Sequence, residues 1–354
     1  MSSNSTPRRA RRRRLLASVC LVSALGTLTA CNPAVTGEGG EAAGGATEAL
    51  NVGQISDSVA FFPLFVAEEQ GFFEEENVTL GDRPRLGTGA KLAAALKSGS
   101  IDLGAGVTTD AFNLATVQDD AVLTSSLVSE YYVDVVVGPD FTGADADSSL
   151  EEKVNALVGK NIGITGPGSG TEALLTYLFS LVGKDAQRDA TLVNLGASPS
   201  AAMGALTAGR VDALSFFQPV GQMVETNGDG SILISPQRGD VPELTGALHG
   251  VVFSSEELVG AKQEQVEGFN RAIDKSLDYI REDRDGTRAL LEDYLQETSP
   301  ETLDALMDIL PEEVADSAAI DREAYETART FHLESGLVEE APEYDDFVHE
   351  GAAG

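Results

Sequence analysis

Two separated passages of this chain share one pattern, and a chain that builds the same unit twice is narrowly constrained in its fold. Residues 90–103 can be laid over residues 200–213 so that Ala95, Leu96, Gly99 and Asp102 match Ala205, Leu206, Gly209 and Asp212. Each passage reads as a helix that closes on a glycine, where a left-handed backbone is needed, and runs on into a strand. The matched passages sit in matched surroundings. Before and through the first come an alternating strand at 50–55, a helix-like apolar run at 61–70 closed by Gly71, a second strand beginning at 78–80, a helix at 90–97 and a third strand at 101–105. The order returns as a strand at 161–165, a helix at 170–182, a strand at 191–195, a helix at 200–207 and a strand at 211–216. Strands alternating with helices predict βαβ units and mainly parallel sheets, hence an α/β fold with two similar lobes. The C-terminal part reads as mostly helical, with amphipathic stretches such as 265–280.

The N-terminus carries an address. Six arginines (Arg8, Arg9 and Arg11 to Arg14) precede a mainly apolar run over 15–30. That is the charged and apolar composition of a signal peptide, and the run is shorter than the about 20 apolar residues of a spanning helix. It ends in Leu28, Thr29, Ala30 and Cys31, which looks like a bacterial lipobox whose cysteine receives a diacylglycerol and becomes the new N-terminus. The alternative is an ordinary signal peptide with an incidental cysteine. Arg12 to Leu16 also match a loose twin-arginine pattern, a match that any arginine-rich leader produces easily. Residues 1–30 are thus read as a signal peptide and 31–48, rich in Gly, Ala, Thr and Glu, as a lipidated flexible tether. Two acyl chains suffice to hold a protein on the outer face of the cytoplasmic membrane.

The chain holds two cysteines, and Cys20 leaves with the leader. No intramolecular disulfide can then form, and stability falls to packing, for which the chain is long enough. The whole chain has a formal net charge of −33; without the leader, residues 31–354 carry 18 basic and 57 acidic side chains, a net of −39. Nucleic acid would be repelled by such a surface and is excluded as a partner.

Several short passages carry a family resemblance. Residues 63–73, running from Pro63 through Gly71 to Phe73, resemble the "PLYVAKEKGFF" element of ABC-transporter solute-binding proteins for nitrate, sulfonate, taurine and thiamine precursors. Residues 99–104 are similar to that family's "GEIDVG", residues 160–172 to "KRVGVTGPGSGTE", and residues 208–213 to "AGQVDA". Phe217, Gln218 and Pro219 fall where the family has an aromatic-Glu-Pro element, so a glutamine stands where the family often has an acid. The resemblance covers roughly residues 49–350, and order and spacing carry it more than any one motif. It implies a two-lobed periplasmic-binding fold of the second type, with 49–138 plus 246–354 as lobe one, 139–245 as lobe two, and interlobe crossings at 132–138 and 246–253. It also implies a monomer that captures a small-molecule ligand by closing and presents it to an ABC permease and its ATPase.

In open α/β sheets, ligands bind beyond the carboxyl ends of strands. Four loops qualify by pattern: Ser56 and Asp57 with Phe61; Thr88 and Gly89; Thr108 and Thr109; and residues 166–171. In the last, Gly168 and Gly170 allow close backbone approach, while Ser169 and Thr171 place hydroxyls at a helix start that favours electron-rich oxygens. Ser169 with Glu172 fits a capping box. In the family frame Glu130 and Tyr131 face the cleft, where they could stack on a ring or hold a cationic nitrogen; two sheet tyrosines and a solvent acid are the equal alternative. Gln218 completes the candidate ligand-binding set. Apart from Lys91 the loops carry no base, and Asp57 and Glu130 lean toward a zwitterion, an amine-bearing heterocycle or a neutral polar molecule.

Enzymatic chemistry finds little support. The histidines His249, His332 and His349 lie far apart, no pair has metal-ligand spacing, and no metal or cofactor is expected. Ser169 has Pro167 and Thr171 at the two positions where a nucleophile elbow needs glycines, and the Gly-rich loop lacks the Lys-Ser/Thr ending of a P-loop. His249, in the return crossing, either reaches a ligand or is a satisfied structural residue. The nearest enzymatic relative of the family, the thiamine-pyrimidine synthase, has a cysteine-rich iron motif that is missing here. A ligand sensor without transport is the remaining alternative. For the anchor, Cys31→Ala is expected to move the protein from the membrane fraction to the soluble fraction of cells, and persistent membrane association would sink the lipobox reading.

Overall fold

The computed structural model describes residues 49–296 and 298–354; the leader, Cys31 and the tether lie outside the described residues. Nine strands form two sheets among the described residues: β1 (Val52–Gln54), β2 (Leu103–Val107), β3 (Ala121–Val128), β4 (Val133–Val137), β5 (Asn161–Ile164), β6 (Thr191–Asn194), β7 (Ala213–Phe217), β8 (Ser231–Ile234) and β9 (Gly250–Ser255). The first sheet has the order β1-β2-β9-β3 and the second β6-β5-β7-β4-β8. Pairs β1–β2, β5–β6 and β5–β7 are parallel, as βαβ units require; β9 and β4 run antiparallel to their neighbours. The sheets are therefore mixed rather than mainly parallel. The reason is that β4 and β9 are the strands by which the chain enters one sheet after leaving the other, and each arrives from the opposite end.

The helices of eight or more residues are α1 (Phe62–Glu69), α2 (Gly89–Lys97), α3 (Thr108–Ala115), α4 (Leu150–Leu157), α5 (Gly170–Leu181), α6 (Pro199–Thr207), α7 (Val220–Asn227), α8 (Gln263–Glu282), α9 (Arg284–Tyr294), α10 (Pro300–Met307) and α11 (Arg322–Ser335). Among the described residues none is long and apolar enough to cross a membrane. The strand expected from residue 78 does not form. Leu80 and Arg85 make isolated bridges to Leu50 and Gln54, and Pro84, which has no amide to donate, interrupts the ladder between them.

The repeated passage turns out to be a structural device. Gly99 and Gly209 take left-handed backbones (φ +69° and +64°) at the ends of α2 and α6. Three residues on, the carboxylate of Asp102 accepts the backbone N–H of Asn51 at 2.8 Å, and that of Asp212 accepts the N–H of Asn161 at 2.8 Å. Each aspartate thus ties its own strand to the start of the parallel neighbour, β2 to β1 and β7 to β5. A charge-assisted bond at this place sets the register of the parallel pair. The same aspartate in two sheets does the same work.

The chain passes from the first sheet to the second over residues 129–132 and returns over 235–249. Strand β4, which the sequence reading placed in lobe one by drawing the boundary at residue 138, pairs with β7 and β8 of the second sheet. The C-terminal helices then pack back over both. α8 packs along α1 and the short turn that follows it, burying Phe269, Ala272, Ile273 and Leu277, with Phe269 stacked on Phe73 at 5.3 Å between ring centres. α11 lies against α5, where Phe331 meets Tyr177 at 5.2 Å. Because Phe269 is fully buried, Phe269→Ala is expected to lose about 3–5 kcal/mol of stability, read as a lowered midpoint of chemical unfolding with an unchanged slope.

Candidate functional site

Between the two sheets lies a cavity of about 670 Å³. Its walls are built by strand ends and helix starts. Ser56 follows β1, and Thr88 and Gly89 open α2. Val107 and Asp110 open α3, and residues 165–171 run into α5. Tyr132 and His249 close it from the two crossings, Val133 from the start of β4, and Phe217 from the end of β7. A contiguous outer recess shares Ile55, Ser56, Gly87, Ala197 and Phe217 with it and adds Asp57, Arg83, Arg85 and the start of α6.

The sequence candidates fall into two groups. Ser56, Thr88, Gly89, Gly168, Ser169, Gly170 and Thr171 all line the main cavity, and Asp57 lines the outer recess. Phe61, Thr108, Thr109, Glu130, Tyr131 and Gln218 line neither. Phe61 is turned into the core by the short helical turn at Val59–Phe61. Thr108 and Thr109 are fully buried on the far side of α3: Thr108 Oγ1 donates to the Leu248 carbonyl (2.7 Å), and Thr109 Oγ1 pairs with His332 Nε2 (2.7 Å). Helical periodicity turns the next residue, Asp110, into the cavity instead.

At the crossing, the Glu130 carboxylate accepts the Gly246 amide (3.1 Å), stitching the outgoing segment to the returning one. Tyr131 is not free to stack on a ligand. Its hydroxyl donates to the Gly170 carbonyl at 2.6 Å, and its ring lies between His249 (4.2 Å) and Phe331 (4.9 Å). The cavity side is taken by Tyr132. Asp57 is paired with Arg85 at 2.6 Å, so its charge is answered within the protein. The start of α5 is braced from inside: Thr171 Oγ1 takes the Thr165 amide (3.0 Å), and Ser169 Oγ caps the Glu172 amide (3.4 Å). The reciprocal half of the expected capping box shifts by one residue. Ser169 N–H already donates to Gly166, and the Glu172 carboxylate takes the Gly168 amide instead (2.6 Å). Asn113 of α3 reaches over the cavity and donates from Nδ2 to the Gly168 carbonyl at 3.1 Å.

Sequence reasoning missed Asp110 and Asn113, chose Tyr131 and Gln218 over their neighbours Tyr132 and Phe217, and left His249 open. Asp110, Tyr132, Phe217 and His249 lie at or within three residues of a strand end, and Asn113 lies one helical turn beyond Asp110, a signal that becomes specific only once the strand ends are known. His249 is fully buried, lines the cavity, and has both ring nitrogens without a protein partner. Burial pulls its pKa down to about 3, so it is a neutral imidazole with one donor and one acceptor at physiological pH. Asp110 takes the Val107 amide on Oδ2 (3.1 Å), and burial raises its carboxyl to about 6.

Behind the cavity, the expected role of Gln218 changes. Its Nε2 donates to Glu313 Oε1 at 2.7 Å, and Ser129 N–H donates to the Glu313 carbonyl at 3.1 Å. The C-terminal part therefore grips both the first crossing and the end of β7. Burial raises Glu313 to about 8, with the Gln218 bond offsetting part of that. Asp134 rises to about 7 for the same reason, the nearby Ser235 hydroxyl offsetting a little. In both groups the folded state holds a proton that the unfolded chain releases near its ordinary carboxylate pKa. Stability therefore falls as pH rises from that value through the folded pKa. His249 acts with the opposite sign, but only in the acid range below its ordinary value. Between about pH 6 and pH 9 the melting temperature of the native protein is accordingly expected to fall, and Glu313→Gln, which keeps a partner for Gln218, to flatten that fall. An unchanged slope would assign the effect elsewhere.

The fold and this site can now be set beside known proteins. The sequence profile described as "NMT1/THI5 like" matches residues 58–286. A comparison with curated protein sequences finds no match. Among solved structures, the alkanesulfonate-binding protein SsuA from Xanthomonas axonopodis pv. citri, bound to MOPS, aligns with a TM-score of 0.67 at 21% identity, covering 84% of this chain and 96% of that one. The periplasmic aliphatic sulphonate-binding protein SsuA of Escherichia coli aligns with a TM-score of 0.67 at 17% identity, covering 86% and 98%. A ligand-binding component of an ABC-type import system from Staphylococcus aureus, with zinc bound, gives 0.66 at 18%, covering 85% and 96%. The fold is that of the periplasmic binding proteins, and with its profile matched over more than half its length this chain belongs to the NMT1/THI5-like family.

Proposed function

We propose that this chain is an exported, lipid-anchored solute-binding protein that captures a small molecule between two lobes and hands it to an ABC importer. The observation that carries capture is the cavity between the sheets with His249 in its wall. A fully buried imidazole with neither nitrogen bonded to the protein leaves a donor and an acceptor to be satisfied by whatever enters. The relatives' roles in sulfonate binding and ABC-type import support the transport part of the reading. The lobes are drawn by sheet membership, with hinge crossings at 129–132 and 235–249. Closure brings α3 to the start of α5, the contact already made by Asn113 and Gly168. Cys31 holds the assembly at the outer face of the cytoplasmic membrane through the tether at 31–48. A monomer suffices, because one chain supplies all walls of the cavity.

No catalytic role is assigned: the cavity presents no nucleophile paired with a base, and His249 meets the rings of Tyr131 and Tyr132 rather than an orienting carboxylate. Protein purified without its leader, equilibrated with a metabolite extract and desalted, is expected to retain one compound that leaves unchanged on denaturation. His249→Leu is expected to lower that retention at least tenfold, about 1.4 kcal/mol. A chemically altered product would make the protein an enzyme, and empty protein would remove capture. Uptake of the retained compound should then fail in cells lacking the gene; undiminished uptake would leave sensing in place of transport.

A further inference from the structure

Three helices of eight or more residues begin at the main cavity: α2 at Gly89, α3 at Thr108 and α5 at Gly170. Helix starts carry partial positive charge and unpaired amides, and a cleft ringed by them is ordinarily a place for an anion. Here the protein supplies the negative charge itself. Asp110 accepts the amide of Val107 at the start of α3 with Oδ2. Its Oδ1 lies hard against the start of α2, so close that a Cβ on Gly89 would sit 1.9 Å away. The Glu172 carboxylate takes the Gly168 amide ahead of α5 at 2.6 Å and is itself nearly buried. Two carboxylates thus answer the three helix starts.

Bases are scarce. Among the described residues Lys97, exposed on α2, is the one lysine or arginine in the wall of the main cavity, and the arginines of the outer recess are committed, Arg83 to Glu68 and Arg85 to Asp57. The remaining wall is largely apolar, with Ile55, Val107, Leu114, Val117, Val133 and Phe217. An entering anion would give up its hydration to meet Asp110 without a compensating cation, which is strongly unfavourable. Among the described hydrogen bonds Asp110 accepts through Oδ2, which leaves Oδ1 to take a donor, while His249, in the same cavity wall, has both ring nitrogens without a protein partner.

From this geometry we propose that the cavity excludes anions and takes a molecule with a largely apolar body and a nitrogen N–H donor, an amine above all, bound by Asp110 Oδ1. The proposal rests on the capture reading and narrows it to a ligand class different from the sulfonates named for the structural relatives. Asp110, with a pKa near 6, is ionised at the slightly alkaline pH of the test.

The experiment uses one apolar body with four head groups: 1-naphthylmethylamine, 1-naphthamide, 1-naphthoate and naphthalene-1-sulfonate. Each is titrated into the leaderless protein at about pH 8 by calorimetry, with thermal shift as a second readout. The amine is expected to bind at least about tenfold more tightly than either acid, with the amide between them. Asp110→Asn, which can still accept the Val107 amide, is expected to reduce the amine-over-acid preference by about tenfold. The native ranking is read without any variant, so a poorly folding mutant cannot hide the answer. A ranking headed by the sulfonate or the carboxylate, a preference unaffected in Asp110→Asn, or no binding by any of the four overturns the proposal. Capture as such is judged separately, by retention from the metabolite extract: retention together with a sulfonate-first ranking removes the ligand class and leaves capture standing.

Discussion

The cleft depends on two backbone bonds made by one residue. His249 donates its N–H to the Val128 carbonyl at the end of β3 (2.9 Å), and its own carbonyl accepts the amide of Thr108 after β2 (2.9 Å). These bonds fix the returning chain between two strands of the first sheet at the level where the other crossing leaves. With the backbone held there, the imidazole is held between the rings of Tyr131 and Tyr132 and forms part of the cavity wall. The Thr108 hydroxyl adds a bond to Leu248. A threonine that looked like a ligand contact in the sequence instead anchors the residue that forms the wall.

Closeness between the two halves then follows from small groups. Gly170 has no side chain, and a Cβ there would meet the Tyr131 hydroxyl at 3.2 Å, Thr109 Oγ1 at 3.4 Å and the His249 ring at 3.5 Å. The glycine lets the start of α5 approach the crossing closely enough for its carbonyl to accept the tyrosine hydroxyl. Two residues earlier in the same loop, the Gly168 carbonyl accepts Asn113 Nδ2 from α3. On the other side, Glu313 and Gln218 join the C-terminal part to β7. Bonds of this kind on both flanks fix how the two sheets meet around the cavity.

Electrostatics separates surface from site. The acidity of the chain resides mainly on exposed side chains and says nothing about the ligand. The few buried acids do, because an uncompensated charge in a low-dielectric wall acts strongly on whatever enters. Asp57 and Glu130, the acids the sequence singled out, are answered by Arg85 and the Gly246 amide. Asp110, which the sequence did not single out, accepts through Oδ2 and leaves Oδ1 to take a donor.

The repeated βα plan, the glycine-closed helices and the loop at 166–171 were legible in the sequence because each is set by local chemistry: alternation of apolar residues, a left-handed glycine, hydroxyls before a helix. So was the recurrence of Asp102 and Asp212, although their purpose as ties between parallel strands needed the paired strands to be seen. Tertiary structure alone decided which residue of each loop faces inward. One step along α3 separates Thr109, bonded to His332, from Asp110 in the cavity, and one step along the crossing separates Tyr131 from Tyr132. A one-residue rotation on a helix or strand reverses inside and outside, and it is fixed by packing against segments distant in the chain, here α11 and the His249 crossing. The type of fold is therefore written in local periodicity, whereas the chemistry of the cleft depends on contacts that no local pattern contains.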